Sequence, residues 1–501
     1  MMFSKKFTYL YLIFIVAILI SSSGFCFDIS KNDFQSSFLS NPNIVRNKIK
    51  DLFNNFNLNI FKHFRENQNE ISLDVYDGYT LFGPEYSRYT FLINNNKRIV
   101  HFWKSDYTDC LGNYLTEDGY FIRMCLPRAN PTFLSGGVSG RVEKFDNESN
   151  LIWEFEYTND QYCLHHDIEP LPNGNILMIA WEYKTIDEAI NAGRDPGKLS
   201  GALWPDHIIE VEPIGFSGYD IVWEWHAWDH LIQDFDPSKD NYGDVGEHPE
   251  LIDINYGPNT RDWTHFNSLD YNEEFDQILI SAHNFNEIWV IDHSTTSSEA
   301  AGHTGGNSGK GGDILYRWGN PIAYRAGDII DQKFIGQHYA QWVMKGCPGE
   351  GNILVFNNGG RNRFYSSVDE IIPPIDENGN YSYTTGMAYG PEEQIWVYTT
   401  DIPSDLFSMI MSSAQRLPNG NTLICSANQG WILEVTYDKE IVWEYTNIFP
   451  TPIANGLFMA YRYSVNYSGI PENQNFNTRM EQMNGFYGQF KVKLSRLFNQ
   501  I

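Results

Sequence analysis

The sequence is short of positive charge. Its 501 residues carry 35 Lys and Arg against 63 Asp and Glu, a formal net charge of −28. Such a surface repels a phosphate backbone on average, and no basic patch with interleaved aromatics offsets it, so nucleic acid is excluded as a partner. Cysteine is also scarce, with Cys26, Cys110, Cys125, Cys163, Cys347 and Cys425 making six. Their spacing fits neither a metal knuckle nor a dense disulfide scaffold. Cys110 and Cys125 flank an apparent hairpin and are the pair best placed for a local bridge. After the N-terminus there is no apolar run long enough to span a bilayer as a helix. Helical periodicity is nearly missing: residues 185–192 read as one short turn and 403–411 as a turn or loop. HExxH, nucleophile-elbow and phosphate-loop motifs are all absent, which removes three common hydrolase and nucleotide readings.

What the sequence has instead is aromatic residues, 15% in total, with 14 Trp, 30 Tyr and 33 Phe, together with 40 Gly. Aromatics favour pleated, half-buried surfaces, and glycine suits many tight turns. The N-terminus has Lys5 and Lys6, an apolar core over residues 7–20 and small residues at 21–24. That order describes a signal peptide, residues 1–26, and an exported chain, periplasmic or extracellular, with no stable membrane span after cleavage. Residues 27–70 are Asn-rich and read as a peripheral segment. Residues 71–468 carry continuous strand signals, and 469–501 read as a tail or as strands completing an early blade.

Two arms repeat along the strand region. The first ends in an apolar-Trp-Glu-aromatic run: Ile152-Trp153-Glu154-Phe155, Val222-Trp223-Glu224-Trp225 and Val442-Trp443-Glu444-Tyr445, with a diverged copy at Trp318. The second is Leu171-Pro172-Asn173-Gly174-Asn175, repeated as Leu417-Pro418-Asn419-Gly420-Asn421. The Asn-Gly pair is expected to supply the positive φ angles of a tight hairpin. Each complete unit offers about four short strands, and a four-stranded sheet with two apolar faces must be stacked on others. Five to six units fit between residues 75 and 465, and the fold class expected is an all-β, six-bladed β-propeller.

Histidines recur at one phase, between the two arms: His165-His166-Asp167, His265-Phe266-Asn267 and His338, with Ser412-Ser413 at the matching place in the last repeat. Equivalent propeller loops gather at one end of the channel, so these residues are expected to share a pocket. Asp167 is placed to orient an imidazole of the His165-His166 pair. If residues 262–267 are extended, His265 and Asn267 share a side while Trp263 and Phe266 pack. His283 follows the next strand. His226, Trp228, Asp229 and His230 precede an acidic insertion, 234–244, which reads as a calcium loop or, lacking regular EF-hand spacing, as a solvated one. His207, His248, His293 and His303 are weaker candidates. The cluster suits either a transition metal or metal-free binding of an anionic group with one imidazole as nucleophile.

The strings His165-His166-Asp167-Ile168, Trp228-Asp229-His230, Asp262-Trp263-Thr264-His265-Phe266-Asn267 and Gln337-His338-Tyr339-Ala340 resemble the bacterial-type aryl-sulfate sulfotransferases. The resemblance covers roughly residues 75–465. It implies a six-bladed propeller that moves a sulfuryl group from a phenolic sulfate donor to a phenol acceptor through a sulfated histidine. A nucleotide sulfate donor, a metal and any other cofactor are not implied. By motif His338 is the nucleophile, and His265, Asn267, His166 and His283 complete the catalytic set. His165, Arg325, Arg361 and Trp263 are assigned to substrate binding. One departure stands out: the family pattern has an arginine where His283 stands. A histidine is only a conditional cation, so either the donor differs, or Arg325 or Arg361 substitutes from another blade, or the chemistry has drifted. The rival readings are a metal-dependent oxidoreductase or lyase using the same histidines, and a non-catalytic secreted binding propeller.

Overall fold

The computed structural model describes residues 74–471, apart from 109–110, 361–362 and 452–453. The signal, the peripheral segment to residue 70, Arg361, Cys110 and most of the tail lie outside the described residues. Cys125, Cys163, Cys347 and Cys425 are buried free thiols, so Cys125 does not form the bridge considered for it.

Six four-stranded antiparallel sheets form the blades. Blade 1 pairs Leu457–Ser464 with Gly78–Pro84, then Tyr89–Asn94 and Ile99–Lys104. The last strand of the propeller therefore completes its first blade, the role considered for the tail. Blade 2 runs Asn113–Leu115, Phe121–Cys125, Arg141–Phe145 and Leu151–Glu156. Blade 3 runs Tyr162–Pro170, Ile176–Glu182, Asp206–Ile214 and Gly218–His226. Blade 4 runs Phe266–Asn272, Gln277–Ala282, Glu287–Asp292 and Tyr316–Trp318. Blade 5 runs His338–Trp342, Ile353–Asn357, Ser367–Ile371 and Trp396–Tyr398. Blade 6 runs Ser413–Arg416, Thr422–Ser426, Trp431–Val435 and Ile441–Thr446. The Asn-Gly arm thus joins the first two strands of blades 3 and 6, every outer strand carries a tryptophan, and the histidine phase is the passage from one blade to the next.

The tryptophan of each outer strand explains the repeat. Its indole N–H reaches the following blade in all six cases. Trp103 donates to Asp146 O (3.0 Å), Trp153 to Gly218 O (3.0 Å) and Trp223 to Thr295 Oγ1 (3.1 Å). Trp318 donates to Pro391 O (2.7 Å), Trp396 to Tyr437 O (2.8 Å) and Trp443 to Asn95 O (2.8 Å). The ring of bonds closes on itself, while the rings of these indoles are buried between blades. The turn asparagines tie down the third strand: Asn175 donates to Glu210 (2.6 Å), Asn352 to Glu370 (2.7 Å) and Asn421 to Glu434 (2.7 Å). Buried Arg416 and Arg462, on the next inner strands, pair with Glu370 and Glu434. Only the glycine of each Asn-Gly turn has positive φ (Gly174 at 91°, Gly420 at 90°), so the asparagine serves as a hydrogen-bonding residue instead.

Apolar cores lie between neighbouring blades. Phe82, Phe91, Leu423, Ile432 and Trp443 join blades 1 and 6, and Leu354, Phe356, Ile424 and Leu433 join blades 5 and 6. Each such side chain contributes about 1.5–3 kcal/mol on burial. Among the described residues helix is confined to short pieces. The one at Ile186–Asn191 is closed by a capping box between Thr185 and Glu188, as residues 185–192 had suggested. Among the described residues no helix is long and apolar enough to cross a membrane.

Candidate active site

The chain enters the inner strands of blades 3, 4 and 5 at one end of the channel and brings four histidines into a row. Ring centroids lie 4.6 Å apart for His166 and His265, 5.0 Å for His265 and His283, and 5.1 Å for His283 and His338. The backbone is strained at these entrances. His166 (φ 57°), His265 (53°), Tyr339 (53°) and Met411 (55°) all sit in the left-handed region, one on or just before the inner strand of each of four successive blades. A non-glycine residue there costs about 1–3 kcal/mol, which the surrounding contacts must offset. His265 is therefore not part of an extended run, and its neighbour Asn267 is directed separately.

His338 is held from behind. Its Nδ1 lies 2.9 Å from Asn358 Oδ1 and 3.1 Å from Gly336 O. The Asn358 amide donates to Ser408 O and Met411 O, both at 2.9 Å, which fixes Oδ1 as an acceptor. Nδ1 therefore carries the proton, and Nε2 is left with a bare lone pair. Burial, reinforced by His283, keeps this imidazole well below its ordinary pKa and hence neutral.

His283 repeats the device. Nδ1 contacts Asn284 Oδ1 (3.0 Å), and the Asn284 amide donates to Asp262 O (2.9 Å). Burial, then the charge of His265, lower its pKa to about 4. It is neutral near pH 7 and is no cation in place of arginine.

His265 is the charged member. Burial works to lower its pKa, yet Asp262 outweighs burial and leaves it raised. Its Nδ1 donates to Asp262 Oδ2 (2.6 Å), and that carboxylate also accepts from Ser135 Oγ (2.5 Å) and Trp181 Nε1 (3.0 Å). Asp262 itself is held low against burial, chiefly by His265.

His165 and His166 divide their roles. His165 is fully buried, stacked on Trp181 at 3.9 Å, with Nε2 2.6 Å from Asp206 Oδ1 and Nδ1 2.7 Å from His166 Nδ1. It does not line the row; it orients His166. A proton on His165 Nε2 makes His166 Nδ1 the donor of the pair and leaves His166 Nε2 bare, whereas a proton on Asp206 reverses both. Asp167 is not the orienting carboxylate expected from its position. It turns into the channel, where it accepts from Tyr114 OH (2.9 Å) and Ile168 N (3.0 Å). Burial raises it to about 7, and does the same for Asp270 nearby.

Asn267 is fully buried. Its amide donates to Gln337 O (2.8 Å), and its Oδ1 has no partner, so an acceptor is left for a hydroxyl. Trp263 is fully buried as well and donates to Tyr256 O (2.9 Å). It supports Tyr256 and cannot bind substrate directly, contrary to the expectation. Arg325 is not brought to the row either, for it pairs with Asp234 (3.1 Å) and Asp253 (3.2 Å). The acidic insertion is spent likewise: Asp236 binds Ser238 and Asp244 binds Gly246 N, so no calcium cage forms among these carboxylates.

An open cleft of about 410 Å³ flanks His283, lined by Lys198, Asn255, Tyr256, Pro258, Asn284 and Asn286. Half-buried Lys198, whose Nζ donates to Asn255 O (2.6 Å), is a cation that sequence reasoning missed. Asp206, Asp262, Asn284 and Asn358 were missed as orienting residues too; Asp262 and Asn284 at least lie within three residues of the candidate histidines His265 and His283.

A propeller whose channel mouth holds a row of imidazoles, with bare Nε2 atoms on His338 and His283 and a charged form favoured on His265, belongs to the class of metal-independent group-transfer sites as readily as to any metal-binding one. Among the described residues, the group of three whose ligand atoms fall within 4.8 Å of one another lies elsewhere, at His230, His303 and Asp313. The sequence model of the family described as Arylsulfotransferase (ASST) matches residues 111–448, the span of blades 2 to 6. The chain belongs to the arylsulfotransferase family, whose members transfer sulfuryl groups without a nucleotide sulfate donor. Among curated proteins no sequence matches significantly. Solved structures match distantly. A protein of unknown function from Bacteroides caccae is 10% identical with a TM-score of 0.43, covering 77% of this chain and 98% of its own. A putative 6-phosphogluconolactonase from Bacteroides fragilis is 10% identical with a TM-score of 0.40, covering 79% and 100%. Likeness at this level bears on neither site nor activity.

Proposed function

We propose that the protein moves a sulfuryl group from a phenolic sulfate ester to a phenol, with His338 Nε2 as the nucleophile. The observation that carries the proposal is the bare Nε2, left so because both neighbours of Nδ1 are acceptors. In the first half-reaction Nε2 attacks sulfur, the S–O bond to the aryl oxygen breaks, and the departing phenolate takes a proton from the His265 imidazolium. In the second, the acceptor hydroxyl attacks sulfur, the N–S bond breaks, and the hydroxyl proton returns to His265. The Asn267 Oδ1 supplies an acceptor for that hydroxyl before transfer. Neutral His166 and His283 give the sulfuryl oxygens polar neighbours, and their protonation on binding would add charge. The cleft beside His283 suits the aryl ring, with Lys198 in the part played by arginine elsewhere in the family pattern. Export to the periplasm or beyond, proposed from Lys5, Lys6 and the apolar run that follows, would give the enzyme phenols outside the cytoplasm.

Incubation with 4-nitrophenyl [35S]sulfate, with and without phenol, tests the nucleophile. Wild-type protein should acquire acid-labile label on one histidine and pass it to phenol, and His338→Ala should do neither. Label transfer at the wild-type rate in His338→Ala would end the assignment.

A further inference from the structure

A second histidine cluster lies away from the row, where blade 3 ends and an insertion of blade 4 folds back. His230 follows the outer strand Gly218–His226 and is fully buried. It stacks on Trp225, centroids 5.4 Å apart and planes within 6°. Its Nε2 lies 2.8 Å from Ala300 O. A carbonyl only accepts, so Nε2 carries a proton and the neutral ring has a bare Nδ1. That nitrogen faces Asp313 Oδ1 at 2.9 Å. His303 Nδ1 reaches the same oxygen at 2.7 Å. A lone pair directed at a carboxylate oxygen is repulsive unless a cation stands between them. That cation is either a proton shared by the two groups or a metal ion.

Three observations favour the metal. The ligand atoms of His230, His303 and Asp313 all lie within 4.8 Å of one another. The rear nitrogen of His230 donates to a backbone carbonyl, the arrangement that orients ligating imidazoles generally. The loop that delivers His303 is also shaped to close over His230. A Cβ at Gly312 would stand 2.0 Å from Ala300 O and 2.6 Å from His230 Nε2, and one at Gly311 would stand 2.3 Å from Gly302 O. Trp225 Nε1 adds a bond to Gly312 O at 2.7 Å. The His303 side chain is 60% exposed, so an ion reaches the cluster from solvent without rearrangement of the core.

We infer that His230 Nδ1, His303 Nδ1 and the Asp313 carboxylate form a divalent transition-metal site, of the zinc class, with solvent completing the coordination. Two imidazoles and one carboxylate suit zinc in tetrahedral geometry. The ion pins the glycine-rich loop 301–312 to the end of blade 3. This inference does not depend on the sulfuryl-transfer reading.

The test uses the full chain, stripped with EDTA, dialysed and titrated with Zn²⁺. Bound metal is counted by mass spectrometry and affinity is measured by calorimetry. His303→Ala removes an exposed ligand without opening the core, and His338→Ala controls for zinc held by the other row. Wild type and His338→Ala should each bind one Zn²⁺ that His303→Ala lacks or binds more than ~100-fold more weakly, beyond the ~10–100-fold cost of losing an outer partner. Zinc should also raise the melting temperature and slow proteolysis of the 301–312 loop in wild type but not in His303→Ala. Equal stoichiometry and affinity in wild type and His303→Ala would overturn the site. Absence of zinc binding in wild type would equally overturn it, leaving a proton-bridged His230–Asp313 contact.

Discussion

Replacing Asp262 with Asn keeps the shape of the carboxylate and removes its charge. Asp262 is the leading influence that lifts the His265 pKa against burial. An opposite charge in direct contact moves a titrating group by about 1–3 units, or ~1.4–4 kcal/mol. In Asp262→Asn only the weaker influence of Asp206 opposes burial, so the His265 pKa falls and its imidazolium is disfavoured. The departing phenolate then lacks its proton donor. For donors whose phenols are weak acids, kcat/KM should fall by ~10- to 1000-fold, the same energy read as rate. Donors such as 4-nitrophenyl sulfate, which leave well unprotonated, should lose far less. The assay is a series of aryl sulfates of graded phenol acidity, with pH profiles for each. The basic limb of the profile should move to lower pH in the variant. A uniform loss across the series with an unmoved limb would refute the role of the pair. Stability gives a second reading. The His265–Asp262 pair stabilises the fold above the ordinary carboxyl value of 3.8 and below the ordinary imidazole value of 6.5, and that contribution fades as pH rises through the raised His265 value. The deficit of the variant should be largest in that window.

Asn358→Ala should free His338 to change tautomer and cost about 10–100-fold in kcat, with KM little changed; steady-state kinetics on a variant checked by circular dichroism decide it. His283→Gln should resist acid better than wild type. His283 has a folded pKa of about 4 against 6.5 unfolded, so its contribution is lost as pH falls, reaching about 3 kcal/mol at pH 4; urea melts at pH 7 and pH 4 measure the difference. Lys198→Ala should raise KM for aryl sulfates about tenfold and leave the protein's melting temperature within a few degrees, because the side chain lines the cleft and is only half-buried.

The blade count and the histidine phase were legible because both rest on local, repeated chemistry. A tryptophan at the same place in each outer strand must bond the next blade, and this leaves a periodic trace. His166, His265 and His338 could be grouped because each stands on or beside the inner strand of its blade, and His283 because it follows the next strand. Their orienting groups left no such trace. Asp206 reaches His165 from a different strand of blade 3, and Asn358 reaches His338 from the end of the neighbouring strand of blade 5. Asp167 misled because it adjoins His166 in sequence, whereas the left-handed backbone at His166 breaks the strand there and the Asp167 carboxyl turns to Tyr114. Arg325 looked available because nothing in its own segment shows Asp234 and Asp253, which hold it. Trp263 shares a motif with His265 yet packs beneath the pocket, since the left-handed turn at His265 separates their directions.

The pairing of Leu457–Ser464 with Gly78–Pro84 makes the propeller a loop with a single clasp. The clasp lies in blade 1, while the histidine row occupies blades 3, 4 and 5, well inside the chain. The working residues are thus fastened by connections that run through covalently continuous neighbours on both sides. Opening the clasp by thermal fraying would loosen the far side of the molecule first. New chain ends cut between blades 1 and 2, with the old ends joined, should leave the chemistry in place, whereas the same cut between blades 4 and 5 would sever His283 from His338 along the chain.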